Sequence, residues 1–126
     1  MKKIIKTSNA PAPIGPYSQA VQVDNTLYVS GQIAINPADG QLVQINIIRE
    51  TNQVMENISA ILKEAGFQFS DIVKTTIFLK DMQNFAHVNE VYGQYFTDNF
   101  PARETVEVSV LPKNVNVEIS VIAVKA

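Results

Sequence analysis

The chain has no cysteine, no tryptophan, one histidine (His87) and only two arginines (Arg49 and Arg103) among its 126 residues. Without thiols there is no disulfide, no thiolate zinc site and no cysteine nucleophile. One imidazole likewise excludes a zinc site built from several. Ten Lys+Arg against twelve Asp+Glu leave a formal charge of -2, which excludes a large cationic surface for phosphate backbones. No apolar run approaches the roughly 18 residues of a membrane span. The start, Met1-Lys2-Lys3-Ile4-Ile5-Lys6, is basic but lacks the apolar stretch of a signal peptide. A cytoplasmic location is therefore the default expectation, with neither nucleic acid nor membrane as partner. The five glycines stand apart at 15, 31, 40, 66 and 93, so there is no glycine-rich phosphate loop and nucleotide cofactors are disfavoured. Carboxylates, hydroxyls, amides and two guanidinium groups are left to do any chemistry.

What is present fits one domain, residues 1–126. Size scaling gives about 6,700 Å² of folded surface against about 20,000 Å² unfolded, enough burial for a core without staples. No repeat or low-complexity tract interrupts the chain. Ile4-Ile5 between lysines reads as a short edge strand. Asn9 to Pro16 holds three prolines and must be an extended loop. Strand-like runs at Ser18–Val23 and Leu27–Ile33 flank Asp24-Asn25, a hairpin signal. Asn36-Pro37-Ala38-Asp39-Gly40 is a further turn.

The spacing predicts a helix from Ile47 or Ile48 to Ala65. Ile48, Thr51, Met55, Ile58, Leu62 and Ala65 step by three and four, and Val54 and Ile61 widen the stripe. Arg49, Glu50, Glu56, Lys63 and Glu64 fall off it, and Gly66 stands where a C-terminal cap belongs. Ile72–Leu79 reads as a β-branched strand. A second helix spans Asn84 to Phe96, with Phe85, Val88 and Tyr92 on one side. Strands at Thr105–Leu111 and Val115–Val124 follow, joined by Pro112-Lys113-Asn114. The order β-β-β-α-β-α-β-β argues an α+β fold, a mixed sheet with two helices packed on one face. Val106, Val108 and Val110 are expected to meet the helices, as are Val115, Val117, Ile119, Val121 and Ala123. Thr105, Glu107 and Ser109, with Asn116, Glu118 and Ser120, would then form a polar opposite face that needs water, a ligand or a second subunit.

Arg103 follows Pro101-Ala102 at the entry to a strand, where a constrained guanidinium suits bidentate recognition of a carboxylate or phosphate. The competing reading is a surface arginine paired with Glu104 or Glu107. Glu118 lies mid-strand among apolar neighbours. With Pro112-Lys113 at the turn centre it falls opposite Glu107, and like charges across a ladder repel. One carboxyl then holds a proton, a cation sits nearby, or the register slips and Ser109 faces Glu118. A solvated Glu118 is the plain alternative; a raised pKa in a cleft would mark it as functional. Gly15-Pro16-Tyr17-Ser18 puts a phenol after a rigid turn, suited either to closing a pocket or to packing. Ser30-Gly31-Gln32 ends a strand, and Gly31 allows either close approach of a ligand or a bulge. His87 reads as a surface residue.

In order along the chain, several segments carry a family resemblance. They are Asn9-Ala10-Pro11, Ile14-Gly15-Pro16-Tyr17-Ser18-Gln19-Ala20, Val29-Ser30-Gly31-Gln32-Ile33, Asn36-Pro37 with Gly40, Asp71-Ile72-Val73-Lys74-Thr75-Thr76 and Phe85-Ala86-His87-Val88-Asn89. The most specific stretch is Phe100-Pro101-Ala102-Arg103, then Leu111-Pro112-Lys113 and Val117-Glu118-Ile119. The set resembles the RidA/YjgF family of reactive intermediate deaminases over nearly the whole chain. The resemblance implies a chorismate-mutase-like homotrimer with clefts between subunits. It also implies hydrolysis of enamine and imine acids, such as 2-aminoacrylate/2-iminopropanoate and 2-iminobutanoate, to 2-keto acids and ammonia without metal or organic cofactor. By the same resemblance Arg103 clamps the substrate carboxylate, Glu118 aims or activates the water, and Tyr17, Ser30, Gly31 and Asn89 fall on site positions.

The chain departs from the family pattern at three places. Thr105 stands where many members carry cysteine, which puts a hydroxyl and a methyl on the pocket floor. Glu104 stands where a small hydroxylated residue is common; strand alternation turns it away from Thr105. The segment before Phe100 is short. Glu104 and Thr105 sustain the competing reading, a non-catalytic trimer that binds a 2-keto acid in a regulatory role.

Overall fold

The longest helix forms where the three-and-four spacing placed it. The computed structural model describes residues 1–126, and α1 runs Ile47–Ala65, opened by Asn46, whose side chain accepts from the Arg49 N–H, and closed by Gly66 at φ 79°. Around it lie β1 (Lys2–Ile5), β2 (Ala20–Val23), β3 (Thr26–Gln32), β4 (Ile72–Leu79), α2 (Phe85–Gly93), β5 (Ala102–Glu107) and β6 (Val117–Val124). This is the expected element order. No helix is long and apolar enough to cross a membrane.

The six strands make one mixed sheet in the order β1-β2-β3-β6-β4-β5. Every neighbouring pair is antiparallel except β4 and β5. Parallel neighbours need a crossover, and α2 supplies it. Val117, Ile119, Val121 and Ala123 of β6 belong to one buried cluster with Val54, Met55, Ile58, Ile61 and Leu62 of α1. Full burial of each such side chain contributes about 1.5–3 kcal/mol. The cluster also holds Val88 and Tyr92 of α2, so both helices sit on the same face, as expected for this α+β arrangement.

Three expectations about the second half are corrected. β5 and β6 do not form a hairpin, because β4 lies between them. After β5 the chain crosses the end of β4, where Val108 N–H donates to Leu79 O and Lys80 N–H to Asn116 O. Glu118 therefore faces Phe78 rather than Glu107, and no repulsion between those carboxylates arises. Next, the faces of β5 are the reverse of the sequence reading. Parallel registry sets Arg103 beside Thr75, Thr105 beside Ile77 and Glu107 beside Leu79. Thr75, Ile77 and Leu79 are buried toward the helices, so Arg103 and Thr105 are on the helix side, while Val106 is 40% exposed on the other. Finally, α2 stops at Gly93. Tyr95 and Phe96 close it with bonds to Tyr92 and Gly93 carbonyls and pack their rings on Phe69.

The buried face of α1 follows the expected stripe at Thr51, Val54, Met55, Ile58, Ile61 and Leu62 and departs from it at two positions in the first turn. Ile48 is 41% exposed, whereas Glu50 is fully buried. The Glu50 carboxylate accepts from Asn116 N–H and Nδ2, both at 2.8 Å, tying the helix to the start of β6. Two turns further on, buried Asn57 donates from Nδ2 to the carbonyls of Ile33 and Ile35 at 3.1 and 3.0 Å. Removing that amide leaves the Ile35 carbonyl without this donor and the Ile33 carbonyl with only its bond from the Ile35 N–H, at a cost of about 1–3 kcal/mol. In urea unfolding, Asn57→Leu is expected to lower stability by about 1–3 kcal/mol; a midpoint equal to that of the unmutated chain would refute this anchor.

Candidate active site

The Glu118 side of the site begins at a fault in the ladder. Val29 pairs with Val121 and Gln32 with Ile119, so Ser30 and Gly31 together oppose Ser120. That is a bulge, and it re-aims the strand. Glu118 from β6 lies directly over it. A Cβ on Gly31 would sit 2.8 Å from the Glu118 carboxyl carbon and closer still to Oε2. Gly31 thus takes the bulge reading, and what approaches its backbone closely is the Glu118 side chain rather than a ligand.

The proline loop covers this carboxyl. Pro11, Ile14, Tyr17, Ser30, Gly31 and Glu118 are among the walls of a cavity of about 350 Å³. Ser30 Oγ donates to Ser18 O at 2.6 Å, so its proton fastens the loop, while its backbone N–H donates to Gln19 O. Tyr17 folds back over its own turn, and its phenol oxygen accepts from the Ile14 N–H at 3.2 Å. Burial raises the Glu118 pKa above its ordinary 4.5, because no partner offsets the loss of water around its charge.

Arg103 forms a second cluster on the helix side. Its guanidinium carbon stands 5.1 Å from the Tyr92 ring centre and 5.7 Å from that of Phe85. Such contacts contribute about 0.5–2 kcal/mol each and hold the group without using its N–H donors. Tyr92 is fixed in turn by donation to Thr75 Oγ1 at 2.9 Å. Both proposed ion-pair partners of Arg103 are engaged elsewhere: Glu104 bridges Lys74 at 2.8 Å and accepts from Thr76, and Glu107 accepts from the Met82 N–H. The guanidinium fork is unpaired and half-buried, a combination suited to a carboxylate. Asn89 lies four residues after Phe85 and three before Tyr92, on the same stripe of α2. Thr105 shares the Arg103 face, and its Oγ1 is buried with no hydrogen-bond partner.

The two clusters are not one pocket within a single chain. Tyr17, Ser30, Gly31 and Glu118 meet on the open side of the sheet; Arg103, Thr105 and Asn89 gather under α2 on the other. No three His, Asp or Glu side chains converge on a common point. His87 is exposed, as expected. Sequence reasoning did not find the aromatic bracket around Arg103, although Phe85 and Tyr92 at helical spacing signalled it. It also passed over the buried amide of Gln19, which no periodicity marks.

A family model described as Endoribonuclease L-PSP matches residues 7–125. The chain belongs to the RidA/YjgF family. Among RidA/YjgF relatives, the 2-iminobutanoate/2-iminopropanoate deaminase of Mus musculus is 50% identical, over 99% of this chain and 93% of that protein. The crystal structure of the YjgF gene product from E. coli is 46% identical with a TM-score of 0.94, covering 98% of this chain and 99% of that one. The structure of E. coli TdcF with bound serine is 40% identical with the same TM-score and coverage. Glu104 is directed to Lys74 on the sheet face opposite Arg103, and Thr105 carries a buried hydroxyl with no hydrogen-bond partner.

The raised Glu118 pKa has a stability consequence with a definite sign. Between the ordinary glutamate value and the raised one, the folded chain binds the proton more tightly than the unfolded chain, so stability falls as pH rises through that window. Glu118→Gln removes the buried charge. It is expected to be the more heat-stable protein at about pH 7, with the gap closing at about pH 4, below both pKa values. Parallel melting curves for the two proteins across that range would refute the burial of this carboxylate.

Proposed function

We propose that the chain hydrolyses 2-imino acids and their enamine tautomers to 2-keto acids and ammonia, in the cytoplasm. In this reading its one domain works as a homotrimer whose clefts each join Glu118 of one copy to Arg103 of the next. One observation carries it: two functional groups without partners, a carboxyl under a loop and a guanidinium between rings, lie on opposite faces of the same sheet. A substrate touching both requires two chains. The open face also exposes apolar side chains, with Tyr28 at 49% and Val106 at 40%, which a neighbouring copy would cover. The deaminase activity for which the mouse relative is named supports the same chemistry.

The reaction needs a held substrate, one aimed water and a returned proton. Arg103 binds the carboxylate in bidentate fashion and fixes the C=N carbon. Glu118, ionised, takes a proton from water as its oxygen bonds to that carbon, and the C=N electron pair moves onto nitrogen. The proton passes from Glu118 to that nitrogen, giving the carbinolamine; Glu118 then relays the carbinolamine hydroxyl proton to the amine, and ammonia leaves as the C=O forms. General acid–base work by a positioned carboxyl contributes about 10²–10⁴-fold, and a raised pKa strengthens the carboxylate as base and brings its acid form nearer to working pH. Thr105, Asn89, Tyr17, Ser30 and Gly31 line the substrate. The competing keto-acid sensor loses one of its supports, since Glu104 does not obstruct Arg103.

Pyruvate release from enzymatically generated 2-aminoacrylate tests the proposal. Arg103→Ala is expected to lower kcat/KM by about 10²–10³-fold, the loss of two charged hydrogen bonds, with Arg103→Lys recovering only part of it. Unchanged acceleration by folded Arg103→Ala would remove the assigned role. Tight 2-keto acid binding without any acceleration of imine decay by the unmutated protein would favour the sensor.

A further inference from the structure

The loop over Glu118 has almost nothing of its own to hold it. Residues 7–17 contain no strand or helix, and Pro11, Pro13 and Pro16 carry no N–H to donate. Its local bonds are few: Asn9 N–H to Thr7 Oγ1, Ile14 N–H to the Tyr17 phenol and Tyr17 N–H to Gly15 O. One side chain supplies the rest. Gln19, only 3% exposed, accepts at Oε1 from the Thr7 N–H at 2.8 Å. Its Nε2 donates to the carbonyls of Thr7 at 3.0 Å, Ala10 at 3.3 Å and Pro11 at 2.8 Å. Pro11 and Gln19 are both walls of the Glu118 cavity, and the Gln19 carbonyl receives the Ser30 N–H of the bulge. The same residue therefore joins the loop to the strand on which Glu118 rests.

We propose that Gln19 is a positioning residue: its primary amide clamps the 7–11 segment over the cavity and keeps bulk water off Glu118. The geometry demands both an acceptor and a two-hydrogen donor on one side chain of this length. A glutamate cannot donate when ionised, and an apolar residue orphans four backbone groups that the prolines leave without substitutes. The effect on Glu118 is one of hydration, since no charge of its own chain is paired with it. Tyr17 is the only other titratable side chain lining the cavity. Lys113 of the neighbouring turn is exposed, Lys80 is bonded to Asn114, and Glu104 is held by Lys74. Arg103 of a second copy faces Glu118 in the proposed assembly and is unaltered by any change at Gln19.

The inference rests on Glu118 acting as base, so the test includes a readout that needs no turnover. The carboxyl carbon of Glu118 is titrated by NMR in the assembled protein, beside Thr7 amide exchange and the pH profile of kcat/KM. Gln19→Leu is expected to free the Thr7 amide, to lower the Glu118 titration and the acid limb together by about one pH unit, and to reduce neutral kcat/KM by about 10-fold. Gln19→Asn, one methylene shorter, moves all three by less and carries the test if Gln19→Leu does not fold. Ile61→Val, a core change that weakens the fold elsewhere, leaves the titration in place. A freed Thr7 amide with an unmoved Glu118 titration overturns the clamp, as does an equal shift in Ile61→Val. If the titration moves but the unmutated protein hydrolyses no imine, the clamp stands and the deaminase reading fails.

Discussion

Strand alternation sends Arg103 and Glu118 to opposite faces of one sheet, and the rest of the account follows from that constraint. A pleated strand cannot turn a side chain through its own plane. The order β6-β4-β5 puts one strand between the two residues, and the registry of β4 with both neighbours decides which face each takes. Arg103 comes under α2 and Glu118 onto the open face. The two groups that suit imine hydrolysis are thus built into one chain but separated by its sheet. In the proposed assembly a second copy supplies what the first holds out of reach.

Each half is kept available by being left unpaired. Phe85 and Tyr92 hold the guanidinium by its faces and leave its donors free. The carboxyl lies against Gly31 under a loop with no cation beside it, and burial raises its pKa. The acidic residue next to Arg103 in sequence is removed from competition by the same alternation, which directs Glu104 to Lys74. An unpaired half-buried charge lowers folding stability. The core of α1 against β6, together with the Glu50–Asn116 and Asn57 anchors, offsets that cost where the site strand begins.

Much of this fold was legible in the sequence because local signals and tertiary packing agreed. The proline loop, the Asp24-Asn25 hairpin, the span of α1 and its Gly66 cap each depend on a few adjacent residues. So does the alternation of Val117, Ile119, Val121 and Ala123. What was misread depends on which strand neighbours which. Pro112-Lys113-Asn114 has the composition of a tight turn, and that composition serves a hairpin or a crossing past β4 equally well. Val106 and Thr105 exchanged faces because the alternating valines read as the core side, whereas parallel registry with β4 turns Arg103 and Thr105 toward the helices. Glu50 and Ile48 were misplaced because a stripe of apolar residues gives no credit to a carboxylate bonded to Asn116. The named site residues were legible individually from their motifs; their division into two clusters was not, since it is set by registry with β4. Gln19 was invisible for a related reason, as its four partners are backbone atoms.

Mixing two defective proteins tests the central claim most directly. Arg103→Ala and Glu118→Gln, each folded and each nearly inactive alone, are co-expressed with different tags, and mixed oligomers are isolated. A site shared between copies predicts recovery to roughly a third of the unmutated rate, because every mixed trimer has one interface of its three that joins an intact arginine to an intact glutamate. Mixed oligomers no more active than the separate variants would show that each chain works with its own Arg103 and Glu118, and would contradict the account.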